Sequence, residues 1–104
     1  MELLTLTTQH TTVMQSLKST KNNLVLYRRR MGLTQKQVAR LLGQRDTSMI
    51  SHYEHGRSFP PLPVALSLEI ILRTPVAFLF GELHDALKRQ IRQAEESGQQ
   101  RPLF

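Results

Sequence analysis

Residues 34–54, TQKQVARLLGQRDTSMISHYE, decide the fold. Thr34 stands at a helix N-cap and Gln37 completes a T-x-x-Q capping box. Leu33 and Val38 take the N′ and N4 places of a hydrophobic staple. Val38, Ala39, Leu41 and Leu42 supply an apolar face, Ala39 is small enough to let a second helix cross closely, and Gly43 ends the element. Asp46 then caps a second helix. Ile50 and Tyr53 share its apolar face, while Thr47, Ser48, Ser51 and His52 share the polar one at i, i+1, i+4 and i+5. Half of that helix is built to pack, and half is left free.

Two short helices joined by a few residues, the second with a free polar row, match the way a helix-turn-helix presents its second helix to the DNA major groove; the same spacing also occurs in an ordinary αα-hairpin. Charge favours the first reading. The 104-residue chain carries a net charge of +6, and residues 18–57 hold nine Lys or Arg against only Asp46 and Glu54, an excess of +7. Residues 1–17 contribute only Glu2, and residues 58–104 are balanced. A basic field confined to one segment attracts a polyanion through phosphate contacts and counterion release.

Length and the 39% apolar content fit one small helical domain. Zero cysteines exclude disulfides and cysteine zinc sites. The apolar runs are too short for a membrane span, and the Thr-rich start lacks a basic signal-peptide region, so the chain reads as cytoplasmic. No H-E-x-x-H, Gly-rich phosphate loop or nucleophile motif occurs. His52, His55 and His84 with Glu54 or Asp85 do not form a ligand pattern, so no catalytic residue, metal or cofactor is expected.

Outward from the central unit, residues 1–21 are rich in Thr and Gln and read as a flexible tail, with a minor-groove arm ending in Lys18 and Lys21 as the competing reading. Asn22 or Asn23 caps a helix with Leu24, Tyr27 and Met31 on one side and Gly32 at its end. After Gly56, the prolines at 60, 61 and 63 make a stiff crossing to a helix over the very apolar residues 64–72, read as the central core helix. Thr74 and Pro75 give a cap and N1 proline for a brief helix containing Val76, Phe78, Leu79 and Phe80, its phenylalanines core. Residues 82–96 form an amphipathic helix with Leu83, Leu87, Ile91 and Ala94 along one face and Asp85 placed to pair with Arg89. Residues 99–104, QQRPLF, read as loose.

The run from Arg28, RRRMGLTQKQVARLLGQRDTSMISHYEHGRSFPP, continuing to ILRTPVAFLF, resembles the lambda-repressor-like Cro/C1 helix-turn-helix family. The resemblance implies an all-α fold: a compact five-helix DNA-binding domain over residues 22–80, with residues 81–104 adding the amphipathic helix and tail. It implies a sequence-specific double-stranded DNA-binding regulator, commonly a dimer and in this reading a repressor. Carried over by position, Gln35 holds a phosphate with the helix start, with Lys36 beside it, and Arg57 touches backbone phosphate. Thr47, Ser48 and His52 fall on base-contact positions, and Ser51 shares their face. Arg28 and Glu54 fall on a buried pair joining the first helix to the end of the third. One departure from the family is an extra turn residue among Gln44 and Arg45, which makes Arg45 a further groove or phosphate contact.

For a homodimer two surfaces offer themselves: the row Leu83, Leu87, Ile91 and Ala94, or the region of residues 75–80. Alternatively the row folds back on residues 64–72. The rival function is a non-catalytic interaction protein of the same fold, such as an antitoxin or a coactivator-like bridge. RNA binding is disfavoured because no exposed aromatics interleave with the basic residues.

Overall fold

The structure, a computed structural model, describes residues 21–97. The tail expected over residues 1–21 lies outside them except for Lys21, as does QQRPLF. Six helices follow one another: α1 Leu24–Arg30, α2 Gln35–Leu41, α3 Ser48–Glu54, α4 Leu62–Leu72, α5 Val76–Leu79 and α6 Gly81–Glu96. Among the described residues there is no strand, and the fold is all-α.

Local chemistry sets the first three helices. The Gln37 N–H donates to Thr34 Oγ1 at 3.1 Å and the Thr34 N–H to Gln37 Oε1 at 2.8 Å, a complete capping box. At the other end of α2, Gly43 takes φ +76°, a left-handed turn that a side chain would strain. The Gly43 N–H reaches Arg40 O at 3.0 Å and the Gln44 N–H reaches Ala39 O at 2.9 Å, the Schellman pattern. The same pattern closes α1, where the Leu33 N–H donates to Arg28 O, and α3, where the Arg57 N–H donates to His52 O.

The start of α1 is held from two sides. Asn22 Oδ1 accepts from the Leu24 N–H at 3.0 Å, and its Nδ2 donates to Tyr53 O at 2.8 Å. The Asn23 N–H donates to Leu79 O and its Nδ2 to Phe78 O, both at 2.9 Å. These bonds satisfy α1 and tie it to the end of α3 and to α5.

Leu24, Val38, Ala39, Ile50, Tyr53, Leu68, Leu72, Leu79 and Phe80 form one buried cluster, with the staple residue Leu33 packed against it. Each buried Leu or Ile contributes about 1.5–3 kcal/mol, and Leu68→Ala in its fully enclosed position costs about 2–5 kcal/mol.

Several expectations are corrected. Met31 and Leu41, assigned to apolar faces, are exposed, because α1 and α2 are only seven residues long and these positions fall at or beyond their last turns. Residues 64–72 are not enclosed: α4 buries Ala65, Leu68 and Leu72 but leaves Leu62, Leu66 and Ile70 on its outer side, Ile70 75% exposed. A helix apolar all round usually signals burial, yet here only one face meets the domain. Phe78 is 60% exposed, while Phe80 joins the core. Thr74 does not cap α5. Its Oγ1 donates to Leu72 O, Pro75 takes the N-cap, and the first N–H of the helix, that of Val76, donates to Glu69 Oε1 of α4 at 2.9 Å. Asp85 lies 3.8 Å from His84 Nδ1, and no Asp85–Arg89 ion pair forms among the described residues. Leu83 packs on the core, but α6 buries no residue and Ile91 is 59% exposed, so the stripe as a whole does not fold back on residues 64–72.

Candidate nucleic-acid interface

Ile50 and Tyr53 anchor α3 in the core at 2% and 3% exposure, which fixes the face it turns away. Ser48 and His52 are exposed there, and Thr47 and Ser51 are half-buried. The expected polar row therefore exists as one helix face. Thr47 sits at the N-cap without a side-chain cap bond. Asp46, expected at that position, acts from one residue earlier by accepting the Ser48 N–H at 2.9 Å. That backbone bond, and then the Ser48 hydroxyl, hold the Asp46 carboxyl below its ordinary pKa.

Two residues join this face that the sequence reading left out. His55 follows Ser51 by four and Ser48 by seven residues, so helical spacing alone could have found it. Its Nδ1 lies 2.7 Å from Ser51 O and 3.3 Å from Ser51 Oγ, which holds the ring beside Ser51. Met49 is also exposed beside Ser48, an apolar group suited to a thymine methyl.

Behind α3 lies the pair joining α1 and α3. Arg28 Nε donates to Glu54 Oε2 at 2.6 Å and Nη2 to Oε1 at 3.3 Å, with the side chains 12% and 4% exposed. Arg28 Nη1 also donates to Leu33 O at 3.0 Å. Gln35, expected on a phosphate, donates from Nε2 to Glu54 Oε1 at 2.8 Å. Of the other Lys and Arg residues between 21 and 57, all are exposed, including Lys36, Arg45 and Arg57. Arg30 rests its guanidinium 5.4 Å from the centre of the Tyr27 ring. The basic side chains of this segment are thus exposed, while Arg28, the one internal cation among the described residues, is neutralised by Glu54.

A family model for the helix-turn-helix domain matches residues 24–77, just over half of the chain. The chain belongs to the helix-turn-helix domain family. No curated protein and no solved structure matches it. The helix-turn-helix domain runs from the first residue of α1 into α5, so α6 lies beyond the matched region. Membership implies a DNA-binding regulator with DNA as partner, and α2 and α3 lie within the matched span. Among the described residues no three His, Asp or Glu side chains converge as a metal site, and no helix is long and apolar enough to cross a membrane.

Proposed function

We propose that the protein is a sequence-specific double-stranded DNA-binding transcriptional regulator of the Cro/C1 type, a cytoplasmic repressor that acts by occupying a promoter. The observation that carries this reading is α3 itself: a helix locked into the core by Ile50 and Tyr53, with Ser48 and His52 exposed on its other face, inside the segment that holds the whole basic excess. Thr47, Ser48, Ser51 and His52 read base edges. Lys36, Arg45 and Arg57 bind phosphates and set the register, as phosphate contacts do without carrying sequence information.

The protein acts as a homodimer, since one short recognition helix covers few base pairs and two related by a twofold reach half-sites about 34 Å apart. The row Leu87, Ile91 and Ala94 of α6, half-buried at Leu87 and exposed at Ile91 and Ala94, supports this. The groove beside that row and the groove beside Phe78 share His84 and Lys88, so the two dimer surfaces suggested by the sequence adjoin. The rival reading, an antitoxin-like or bridging interaction protein, draws on the outer row Leu62, Leu66 and Ile70 of α4, which DNA binding leaves unused.

A salt titration against selected and random duplexes tests the proposal. The affinity should fall steeply with salt, and a selected duplex should be preferred at physiological salt. Equal affinity for every duplex refutes the regulator reading and favours the bridging one.

A further inference from the structure

We propose that Gln35 is a positioning residue, which holds the end of α3 through the Glu54 carboxylate rather than serving DNA affinity as a phosphate ligand. This rests on the reading of α3 as the base-reading helix. Gln35 is the first residue of α2 and Glu54 the last of α3, so the 2.8 Å bond from Nε2 to Oε1 joins the far ends of the helix pair across nineteen residues. The near ends are joined by the turn of residues 43–47, where Arg45 and Asp46 are exposed. Beyond the turn, α3 is held by Ile50 and Tyr53 in the core, by the Arg28–Glu54 pair and by the bond from Asn22 to Tyr53 O. The helix is seven residues, about 10.5 Å, so a 10° swing displaces its far end by about 2 Å, well outside the roughly 0.5 Å within which a binding constellation must be held. The bond from Gln35 adds a polar tie from the far end of α2 to the far end of α3.

The chemistry of the carboxylate supports that role. Arg28 holds Oε2 closely, at 2.6 Å, but reaches Oε1 only at 3.3 Å, so Gln35 is the nearer donor to Oε1. The acceptor is ionic and buried, which strengthens the bond relative to one between neutral groups. Glu54 thereby receives α1 chiefly through Oε2 and α2 through Oε1. Nε2 carries two protons, so donor count alone would permit a phosphate contact as well. What separates the roles is which duplexes feel the loss: a phosphate ligand serves all sequences alike, and a residue that aims α3 serves the preferred one.

Gln35→Met keeps the length of the side chain and removes its donor. Affinities of the full chain for the selected duplex and for a scrambled duplex are compared, alongside urea unfolding without DNA. The expected result is an approximately tenfold loss on the selected duplex with the scrambled duplex unchanged, and a folding constant lowered by about tenfold. Equal losses on both duplexes overturn the proposal in favour of a phosphate contact, and unchanged affinities overturn it outright. An unchanged folding constant shows that the bond to Glu54 contributes nothing, and also overturns it. A wild-type chain that prefers no duplex refutes the base-reading role itself, and that failure is seen before any substitution is made.

Discussion

Glu54→Gln should be the most costly single polar substitution in this chain. The carboxylate accepts from Arg28 Nε, Arg28 Nη2 and Gln35 Nε2, and its side chain is only 4% exposed. A glutamine there retains one accepting oxygen and sets an NH₂ group among donors. It also leaves the Arg28 cation without its counter-charge beside a wall of Leu24, Val38, Ile50, Leu68 and Leu72. The free space there is about 10 Å³, at the lower limit of what one water needs, so hydration offers little relief. Breaking a buried pair by removing one partner costs about 3–5 kcal/mol, whereas a surface pair is worth about 0–1 kcal/mol. Against the roughly 5–15 kcal/mol that holds a small domain together, the loss is severe. Urea unfolding followed by circular dichroism measures it as a shift in midpoint at constant slope. Replacing both partners, Arg28→Met with Glu54→Met, should cost less than Glu54→Gln alone, since no orphan charge remains. A loss below about 1 kcal/mol in the single variant would refute the reasoning, because it would mean that water reaches the pair.

Ser48→Ala and His52→Ala should each change base preference by about 1–3 kcal/mol, while Arg57→Ala weakens all duplexes and lowers the salt slope by about one; selection on randomised duplexes with salt titrations separates these outcomes. Leu87→Glu with Ile91→Glu should give a folded monomer with weakened operator binding, checked by light scattering and circular dichroism; an unfolded product would place the row in the core instead. Asp46 has a lowered pKa, so its cap is present above the unfolded value and is lost as pH falls through the lower folded one. The Ser48 amide resonance should therefore titrate below the ordinary carboxylate range, and a midpoint at the ordinary value contradicts the cap. Arg73 ends α4 at φ +54°, and Arg73→Gly should raise stability by about 0.5–1 kcal/mol in thermal melts, with no gain showing that the left-handed turn is unstrained.

The parts legible in the sequence were those whose partners lie a few residues away. The Thr34–Gln37 box, the glycine stops and the polar row on α3 each follow from spacing within a turn or two. Features that depend on what arrives from elsewhere were not legible. Thr74 carries the chemistry of a cap, yet Glu69 from the preceding helix reaches the Val76 N–H first. In α4 apolar residues lie on every side, so pattern could not say that Leu62, Leu66 and Ile70 would be the side left out. Gln35 stood at the right place for a phosphate, and only the approach of α3 supplies it with Glu54. The resemblance that placed Arg28 opposite Glu54 anticipated their bond, which local spacing could not have done.

The individually closed helices also bear on how this scaffold tolerates changes of length. Since α1, α2 and α3 are each seven residues and each stops on its own glycine bonds, a residue inserted within one of them would rotate everything after it by about 100°, taking apolar side chains off the core. An insertion between Gly43 and Asp46 rotates neither neighbour, because α2 has already been closed at Ala39 O and α3 is begun afresh at Asp46. Gln44 and Arg45, among which the resemblance to the Cro/C1 family implies an extra residue, lie in that permissive window. Libraries that vary the length of this loop therefore preserve the hydrophobic register of both helices.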